Sequence, residues 1–229
     1  MIDFVELTKK YPFPEKRPRH HIAPYFYVPF SSLKVVPENY PRPISEINWS
    51  EVFVNSKSPN FLDIGCGRGK FLIEMAYIFP DKNILGLEIR KNCVDWLKEV
   101  ILGERIENAA VVWYNVLNGL NFIENESLEA VFYLFPDPWP KSRHTKRRAM
   151  NKDVLFDILS KLIIGGKIYF ATDLEVVHYY HIELLQMFNS IRFDEIPHGF
   201  DWNLPKTNKE FSCIRRGKPY FRIIAEKIR

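Results

Sequence analysis

The sequence has 229 residues, of which 46% are hydrophobic and 15% aromatic, and this is enough to form one sizeable core. The net charge of +4 is small, so the position of the cations along the chain says more about partners than their number does. No apolar run is long enough to cross a bilayer, and the N-terminus lacks a signal-peptide pattern, so we expect a cytoplasmic protein without a membrane anchor.

Residues 1–45 differ from the rest of the chain because proline and basic side chains are frequent there. Proline removes backbone donors and disfavours helix, so this stretch is predicted to be an extended basic arm. The arm is either a solvated tail or a binding element, and the pattern does not separate the two. Residues 46–229 are predicted to form a single α/β domain.

From residue 60 onward, short apolar runs alternate with segments of helical period. The runs predict five strands, at residues 60–64, 84–88, 109–114, 130–135 and 167–172. Apolar residues recur at helical spacing within 71–79, 94–101, 154–162 and 177–188. Nearly continuous apolar strands between amphipathic helices indicate a parallel sheet that is covered on both faces. Ligands of such sheets bind at the carboxyl ends of the strands, so the residues after each strand are the candidate site.

A glycine-rich stretch, DIGCGRG (63–69), follows the first predicted strand. Its G-x-G-x-G spacing differs from the G-x-G-x-x-G of a dinucleotide pyrophosphate loop, and taken alone it also fits a plain tight turn. Glu88 ends the second predicted strand, where a carboxylate can accept hydrogen bonds from both hydroxyls of a ribose; a helix N-cap is the alternative. The two features together favour an adenosine-containing ligand, and the glycine spacing favours S-adenosylmethionine over NAD.

Polar residues also follow the third, fourth and fifth predicted strands. Asn115 is placed to contact an adenine, although an ordinary turn asparagine fits nearly as well. Asp137 lies between prolines in FPDPWP (135–140), which hold its carboxylate more rigidly than a surface turn requires. Asp173 either belongs to the same site or caps the helix that is expected to begin near Glu175.

A run of cations follows Asp137 directly, in FPDPWPKSRHTKRR (135–148). Six basic residues occur from Lys141 to Lys152 before the next acid, Asp153. A charge run is most often a solvated surface. Here it adjoins the predicted site, which favours a role in holding the phosphates of a nucleic acid.

The segments LDIGCGRGKF, GLEIR, FPDPWPKSRHTKRR and ATD, followed by TNKEF, together resemble the bacterial-type tRNA (guanine-N7)-methyltransferases. The resemblance covers roughly residues 60–225 and is most specific in FPDPWPK-x-RH-x-KRR. It implies an α/β, Rossmann-like class I methyltransferase fold, with a mostly parallel seven-stranded sheet and helices on both faces. It also implies S-adenosylmethionine as the cofactor and a guanine of the tRNA variable loop, position 46, as the substrate, with no obligate partner subunit.

The resemblance assigns roles residue by residue. The positions that match cofactor-binding residues are Asp63, Gly65, Glu88, Asn115 and Asp137. The positions that match the nucleoside substrate site are Lys141, Asp173, Thr207, Asn208, Lys209 and Glu210, although family members often have an aromatic residue where this chain has Lys209. The positions that match the RNA-contacting segment are Arg143, His144, Thr145, Lys146, Arg147 and Arg148. Asp137 is also the predicted catalytic residue, because a fixed carboxylate can orient the target base.

Other functions are weighed against the same residues. A methyltransferase that acts on another RNA site remains an alternative, whereas a small-molecule enzyme would have no use for the cation run. A non-catalytic RNA-binding relative would show a damaged glycine loop or would lack Asp137, and neither is seen. No metal is predicted, because the six histidines show no H-x-x-x-H or cysteine-paired arrangement. Three cysteines at unrelated spacings predict no disulfides.

Overall fold

A computed structural model describes residues 4–14, 23–137, 139, 147–197 and 199–229. Its strands in chain order are β1 (Phe61–Ile64), β2 (Ile84–Glu88), β3 (Ala109–Trp113), β4 (Leu128–Leu134), β5 (Leu162–Thr172), β6 (Ile191–Ile196) and β7 (Phe221–Lys227). They form one sheet in the order β3-β2-β1-β4-β5-β7-β6. Strand β7 is antiparallel to β5 and β6, and the other neighbouring pairs of this described sheet are parallel. The predicted fold class is confirmed.

The helices of the described chain are α1 (Phe4–Lys10), α2 (Lys70–Ile78), α3 (Lys91–Gly103), α4 (Lys152–Lys161), α5 (Glu175–Leu185) and α6 (Asn208–Arg215). Successive side chains of a strand point to opposite faces of its sheet. Accordingly, Leu62 belongs to an apolar cluster that contains residues of α4 and α5, whereas Phe61 belongs to a second cluster with residues of α2 and α3. Helices therefore cover both faces of the sheet, as predicted.

Strand order reverses at β1, which pairs with β2 on one side and β4 on the other. At such a switch point the loops after the two central strands separate, and a crevice opens at their carboxyl ends. The loop after β1 carries the glycine-rich stretch, and the loop after β4 carries Asp137. The topology thus brings together two motifs that lie far apart in the sequence.

The five predicted strands and four predicted helices are present, with small shifts of their ends. The largest shift is in β5, which begins at Leu162 rather than residue 167. Leu162 also fits the apolar helical spacing of α4, so the prediction assigned it to that helix. Periodicity did not predict β6, β7 or α6. Strand β6 lies at the edge of the sheet and has no buried residue, so its apolar pattern is weak.

The prediction of an extended N-terminal arm is wrong for residues 4–10, which form α1. Phe4 and Leu7 are buried in the apolar cluster that contains Trp96 of α3, and the Trp96 indole Nε1 donates to the carbonyl of Tyr11 at 2.9 Å. These aromatic and aliphatic contacts outweigh the helix-breaking prolines nearby. A domain boundary near residue 45 stays a prediction.

The described residues contain neither a candidate membrane span nor a candidate metal site. No helix among them is both long and apolar enough to cross a membrane. The same residues contain no group of three or more histidine, cysteine, aspartate or glutamate side chains that could hold a metal ion.

Candidate active site

A cavity opens at the carboxyl ends of the central strands, at the switch point. Four of the five residues predicted for the cofactor line it: Gly65, Glu88, Asn115 and Asp137. They come from the ends of β1, β2, β3 and β4, which the parallel sheet aligns at one edge. The structure therefore brings the predicted residues to one place. Their roles toward a ligand stay predictions.

The backbone of the glycine-rich loop requires its glycines. Gly65 has φ +81°, and a Cβ built on it would meet no atom of the described residues within 4 Å, so its backbone borders open space at the cavity. Gly69 has φ +71°, and its Cβ would lie 2.5 Å from the side chain of Leu97 in α3. Glycine at these positions lets a ligand approach the first and lets α3 pack against the second.

Glu88 is buried, and its carboxylate is held by several donors. Its Oε2 accepts from the backbone N of Gly67 at 2.8 Å, and its Oε1 accepts from the backbone N and Nε of Arg90 at 2.9 and 3.0 Å. Helix α3 starts after Arg90 without a side-chain cap, so Glu88 is not its N-cap. A ribose that binds Glu88 must share or displace the Arg90 contacts.

Arg90 connects two acids of the site electrostatically. Burial acts to lower the pKa of its guanidinium, but the charge of Glu88 and the hydrogen bonds to it raise this pKa above the ordinary value. The charge of Asp137 raises it further. Arg90 thus stays charged and stabilises both carboxylates.

Asp63, the fifth residue predicted for the cofactor, does not line this cavity, and it is only 3% exposed. Its Oδ2 is buried and has no hydrogen-bond partner among the described residues. Burial, and then the nearby charge of Glu88, raise the pKa of Asp63 to about 8. At neutral pH this side chain is therefore mostly protonated.

Replacing Asp63 with asparagine is expected to remove a pH dependence of stability. The folded-state pKa is raised from an ordinary 3.8 to about 8, so the protein gains stability from Asp63 at low pH and loses it as pH rises through about 8. Between about pH 4 and 8 the unfolded chain is ionised at this position while the folded chain stays protonated, so wild-type stability should fall with rising pH relative to Asp63→Asn. Urea unfolding of both proteins at four pH values measures this, and parallel pH curves would contradict it.

Asn115 ends the loop after β3 and is 3% exposed. Its Oδ1 accepts from the backbone N of Leu117 at 3.1 Å, as a cap of the short 3-10 helix Val116–Asn118. Its Nδ2 donates to the carbonyl of Phe26 at 2.9 Å and to the hydroxyl of Tyr40 at 2.8 Å. Asn115 therefore acts as a turn residue and also ties the segment around residues 26–40 to the cavity.

Asp137 is exposed at the cavity mouth, three residues after β4. The chain turns sharply before it, because Phe135 adopts φ +51°, an unfavourable conformation for a bulky residue. A 2.7 Å hydrogen bond from the backbone N of Phe135 to the carbonyl of Ala171 holds this turn on β5. Backbone strain of this kind clusters at functional sites, where surrounding contacts maintain it.

The predicted substrate residues Asp173 and Thr207–Glu210 lie just after β5 and at the start of α6. Lys209 Nζ lies 2.7 Å from Asp173 Oδ2, and the Thr207 hydroxyl caps α6 by accepting from the backbone N of Glu210 at 3.1 Å. The cap position of α5 is Leu174, so Asp173 does not cap that helix. Asn208 is exposed at the first turn of α6. The structure thus joins Asp173 to the 207–210 motif.

Glu210 is fully buried beside Arg222, whose Nη1 lies 3.7 Å from its Oε1. Burial raises the pKa of Glu210, and the positive charge of Arg222 opposes this shift. Both side chains lie inside the protein, with Arg222 only 3% exposed. In this structure Glu210 anchors α6 to β7.

The cation run divides into residues outside and inside the described chain. Those outside the described residues are Lys141, Arg143, His144, Thr145 and Lys146. Arg147 lines the cavity, with its guanidinium 4.8 Å from the ring centre of Trp139. Arg148 is buried; its Nε and Nη2 donate to the carbonyl of Trp139 at 3.2 and 3.0 Å, and it stacks on Tyr180. An RNA contact by either arginine stays a prediction.

Arg90 and Tyr27 are among the cavity residues that were not predicted. Arg90 stands two positions after Glu88, and its cation next to a predicted acid was the available signal. Tyr27 lines the cavity and donates its hydroxyl to Asp137 Oδ2 at 3.3 Å. The concentration of aromatic residues in PYFY (24–27) was a sign that this part of the supposed arm is buried.

Comparison with known proteins agrees with this geometry. A family model described as "Putative methyltransferase" matches residues 57–222. The tRNA (guanine-N(7)-)-methyltransferase of Trichormus variabilis is 31% identical over 94% of this chain and 98% of its own. The enzyme of that name from Microcystis aeruginosa is 32% identical over 80% of this chain and 90% of its own. The chain belongs to the tRNA (guanine-N7)-methyltransferase family.

A solved structure supports the fold of this tRNA (guanine-N7)-methyltransferase family member. The plantazolicin methyltransferase BpumL, solved in complex with a pentazolic desmethylPZN analog and SAH, superposes with a TM-score of 0.51 at 15% identity, over 76% of this chain and 78% of its own. At that identity the likeness concerns the fold alone. The architecture is that of S-adenosylmethionine-dependent methyltransferases.

The residues present fit S-adenosylmethionine as the cofactor of this family. The loop at Gly65 leaves open space at its backbone, and Glu88 offers carboxylate oxygens at the cavity wall. Among the described residues Asp63 Oδ2 has no hydrogen-bond partner, and a cationic group such as the ammonium of a methionine moiety would bind it and favour its ionised form. Glu88 would hold the ribose, and the Gly65 loop would hold the methionine part.

Proposed function

We propose that this protein transfers a methyl group from S-adenosylmethionine to N7 of a guanine in the variable loop of tRNA, at position 46. The observation that carries the proposal is the convergence of Glu88, Asn115 and Asp137 on one cavity, which Arg147 of the cation run (141–148) also lines. The names of the relatives support the tRNA guanine as substrate. The specific position rests on the resemblance of FPDPWPKSRHTKRR to the bacterial type.

The reaction needs positioning more than a strong base. Guanine N7 carries an in-plane lone pair that Watson–Crick pairing does not use, and it attacks without first losing a proton. S-adenosylmethionine supplies a methyl group that is activated by its sulfonium charge. Asp137, at the mouth of the cavity, accepts hydrogen bonds from donors on the base and so aligns N7. Its negative charge also stabilises the positive charge that the guanine acquires.

Acid and cations have separate tasks in this proposal. The base must leave its stack to reach a cavity at the strand ends, while its backbone is held nearby. Arg147 packs against Trp139 at the cavity wall. It is the first described residue of the C-terminal part of the cation-rich segment (141–148). We propose that this segment grips phosphates and that the enzyme works in the cytoplasm without a partner subunit.

The test is to treat bulk tRNA with purified protein and methyl-labelled S-adenosylmethionine, and to map 7-methylguanosine by chemical cleavage at the modified base. We expect label at one guanine of the variable loop. Label at other RNA positions would support the alternative RNA methyltransferase. Transfer to no RNA, with intact cofactor binding, would overturn the proposal in favour of a non-catalytic RNA-binding relative or a small-molecule enzyme.

Replacing Glu88 with alanine is expected to weaken cofactor binding in the absence of RNA. Hydrogen bonds to a charged group contribute on the order of 1.5–3 kcal/mol, which corresponds to a roughly 10- to 150-fold rise in Kd. Calorimetry measures this change. The control is Glu129→Ala, which removes an acid bonded to Lys82 and Asn60. Glu129 is near the start of β4, at the amino ends of the strands and away from the cavity. Equal cofactor affinity of the two variants would contradict the ribose role.

A further inference from the structure

The segment from residue 23 to 40 is fastened over the end of the sheet although it lies in the predicted arm. Asn115 donates to the carbonyl of Phe26 at 2.9 Å, and the Tyr40 hydroxyl donates to the carbonyl of Val28 at 2.7 Å. Tyr40 itself is 1% exposed and accepts from Asn115. Backbone carbonyls on both sides of residue 27 are therefore held by buried side chains.

Tyr27 lies between these two attachment points, and its side chain is directed toward Asp137 in the cavity. Its side chain is buried, with 8% exposure, and its hydroxyl donates to Asp137 Oδ2 at 3.3 Å. Its ring packs edge-on against Trp139, with centroids 4.7 Å apart and planes at 83°. The guanidinium of Arg147 lies over the face of the Trp139 ring. Tyr27 thus touches both Asp137 and Trp139, the ring against which Arg147 packs.

We infer that Tyr27 is a positioning residue of the methyl-transfer reaction, which orients the Asp137 carboxylate toward the target guanine. The inference rests on the proposed function. Asp137 is exposed and follows a strained turn, so rotation of its carboxylate has to be limited by neighbours. A donor on Oδ2 fixes the carboxylate plane, which directs the base-binding oxygen. The N-terminal segment is then a part of the active site.

A purely structural role makes a different prediction. If Tyr27 only fills space, phenylalanine would replace it without consequence, since the ring contact with Trp139 does not need the hydroxyl. If it orients Asp137, loss of the hydroxyl slows transfer from bound tRNA and has no further effect once the carboxylate is gone. A double-mutant cycle separates the two roles.

The experiment compares Tyr27→Phe with the matched control Tyr25→Phe. Both belong to the short 3-10 helix Pro24–Tyr27, but the Tyr25 hydroxyl donates to the exposed side chain of Asn39 at 2.9 Å. Single-turnover rates are measured at saturating tRNA and cofactor, in the wild-type and Asp137→Ala backgrounds. Thermal unfolding of each variant checks the fold.

We expect Tyr27→Phe to slow transfer about tenfold in the wild-type background and less than about twofold in the Asp137→Ala background. The affinity for tRNA, measured by filter binding, should stay within about twofold, and Tyr25→Phe should match wild type. A normal rate for Tyr27→Phe, or an equal loss in both backgrounds, would overturn the inference and leave the proposed function standing. If wild type methylates no tRNA guanine, the proposed function itself fails, and the inference fails with it.

Discussion

Replacing Asp137 with asparagine should slow methyl transfer to bound tRNA by on the order of 10²–10³-fold, the cost of removing one preorganised electrostatic contact from an active site. Asparagine keeps the size of the side chain and can still accept a hydrogen bond from Tyr27, so the strained turn at Phe135 should persist. The amide carries no charge to stabilise the cationic guanine, and its NH₂ group opposes donors of the base. tRNA affinity should stay within about twofold.

Single-turnover assays at saturating tRNA and cofactor measure the rate, and filter binding measures the affinity. The control is Asp81→Asn, which neutralises an exposed acid just before β2, at the amino ends of the strands. Asp81→Asn should react at the wild-type rate. A normal rate for Asp137→Asn would make this residue a turn aspartate, as the simpler interpretation of FPDPWP holds.

The sequence was most informative where a local pattern reflects the surroundings of the chain. Buried parallel strands such as β2 contact apolar residues on both faces, so a short apolar run identifies them. Once the sheet is parallel, the carboxyl ends of its strands align, and this is why Gly65, Glu88 and Asn115 could be placed together. The exposed edge strand β6 lacks such a run and could not be found in this way.

Contacts between distant residues had no local signal. Tyr27 and Asp137 are separated by 110 positions, and their hydrogen bond depends on how the N-terminal segment packs over the strand ends. The direction in which a cation points is equally hidden, because Arg147 and Arg148 are adjacent in one charge run. In the structure they differ: Arg147 lines the cavity, whereas Arg148 is buried. Residue type alone cannot separate a phosphate ligand from an internal brace.

Arg147 and Arg148 should therefore respond differently to alanine. Arg148→Ala removes two hydrogen bonds to the Trp139 carbonyl and a guanidinium 4.4 Å from the ring centre of Tyr180. Charged hydrogen bonds and a desolvated cation–π contact together predict a loss of on the order of 2–4 kcal/mol of unfolding free energy. Arg147→Ala loses one partly exposed stacking contact and should cost less than about 1 kcal/mol.

tRNA binding should show the reverse order. If Arg147 contacts a phosphate, its loss lowers the slope of log affinity against log salt by about 0.7–0.9, because one fewer counterion is released. Arg148→Ala should keep the wild-type slope at a temperature where the variant is folded, because its guanidinium faces the Trp139 carbonyl and Tyr180. Urea unfolding and tRNA affinity across a salt series measure both variants. A flattened slope with normal stability in Arg148→Ala would show that this arginine turns outward to bind RNA, as the resemblance implies.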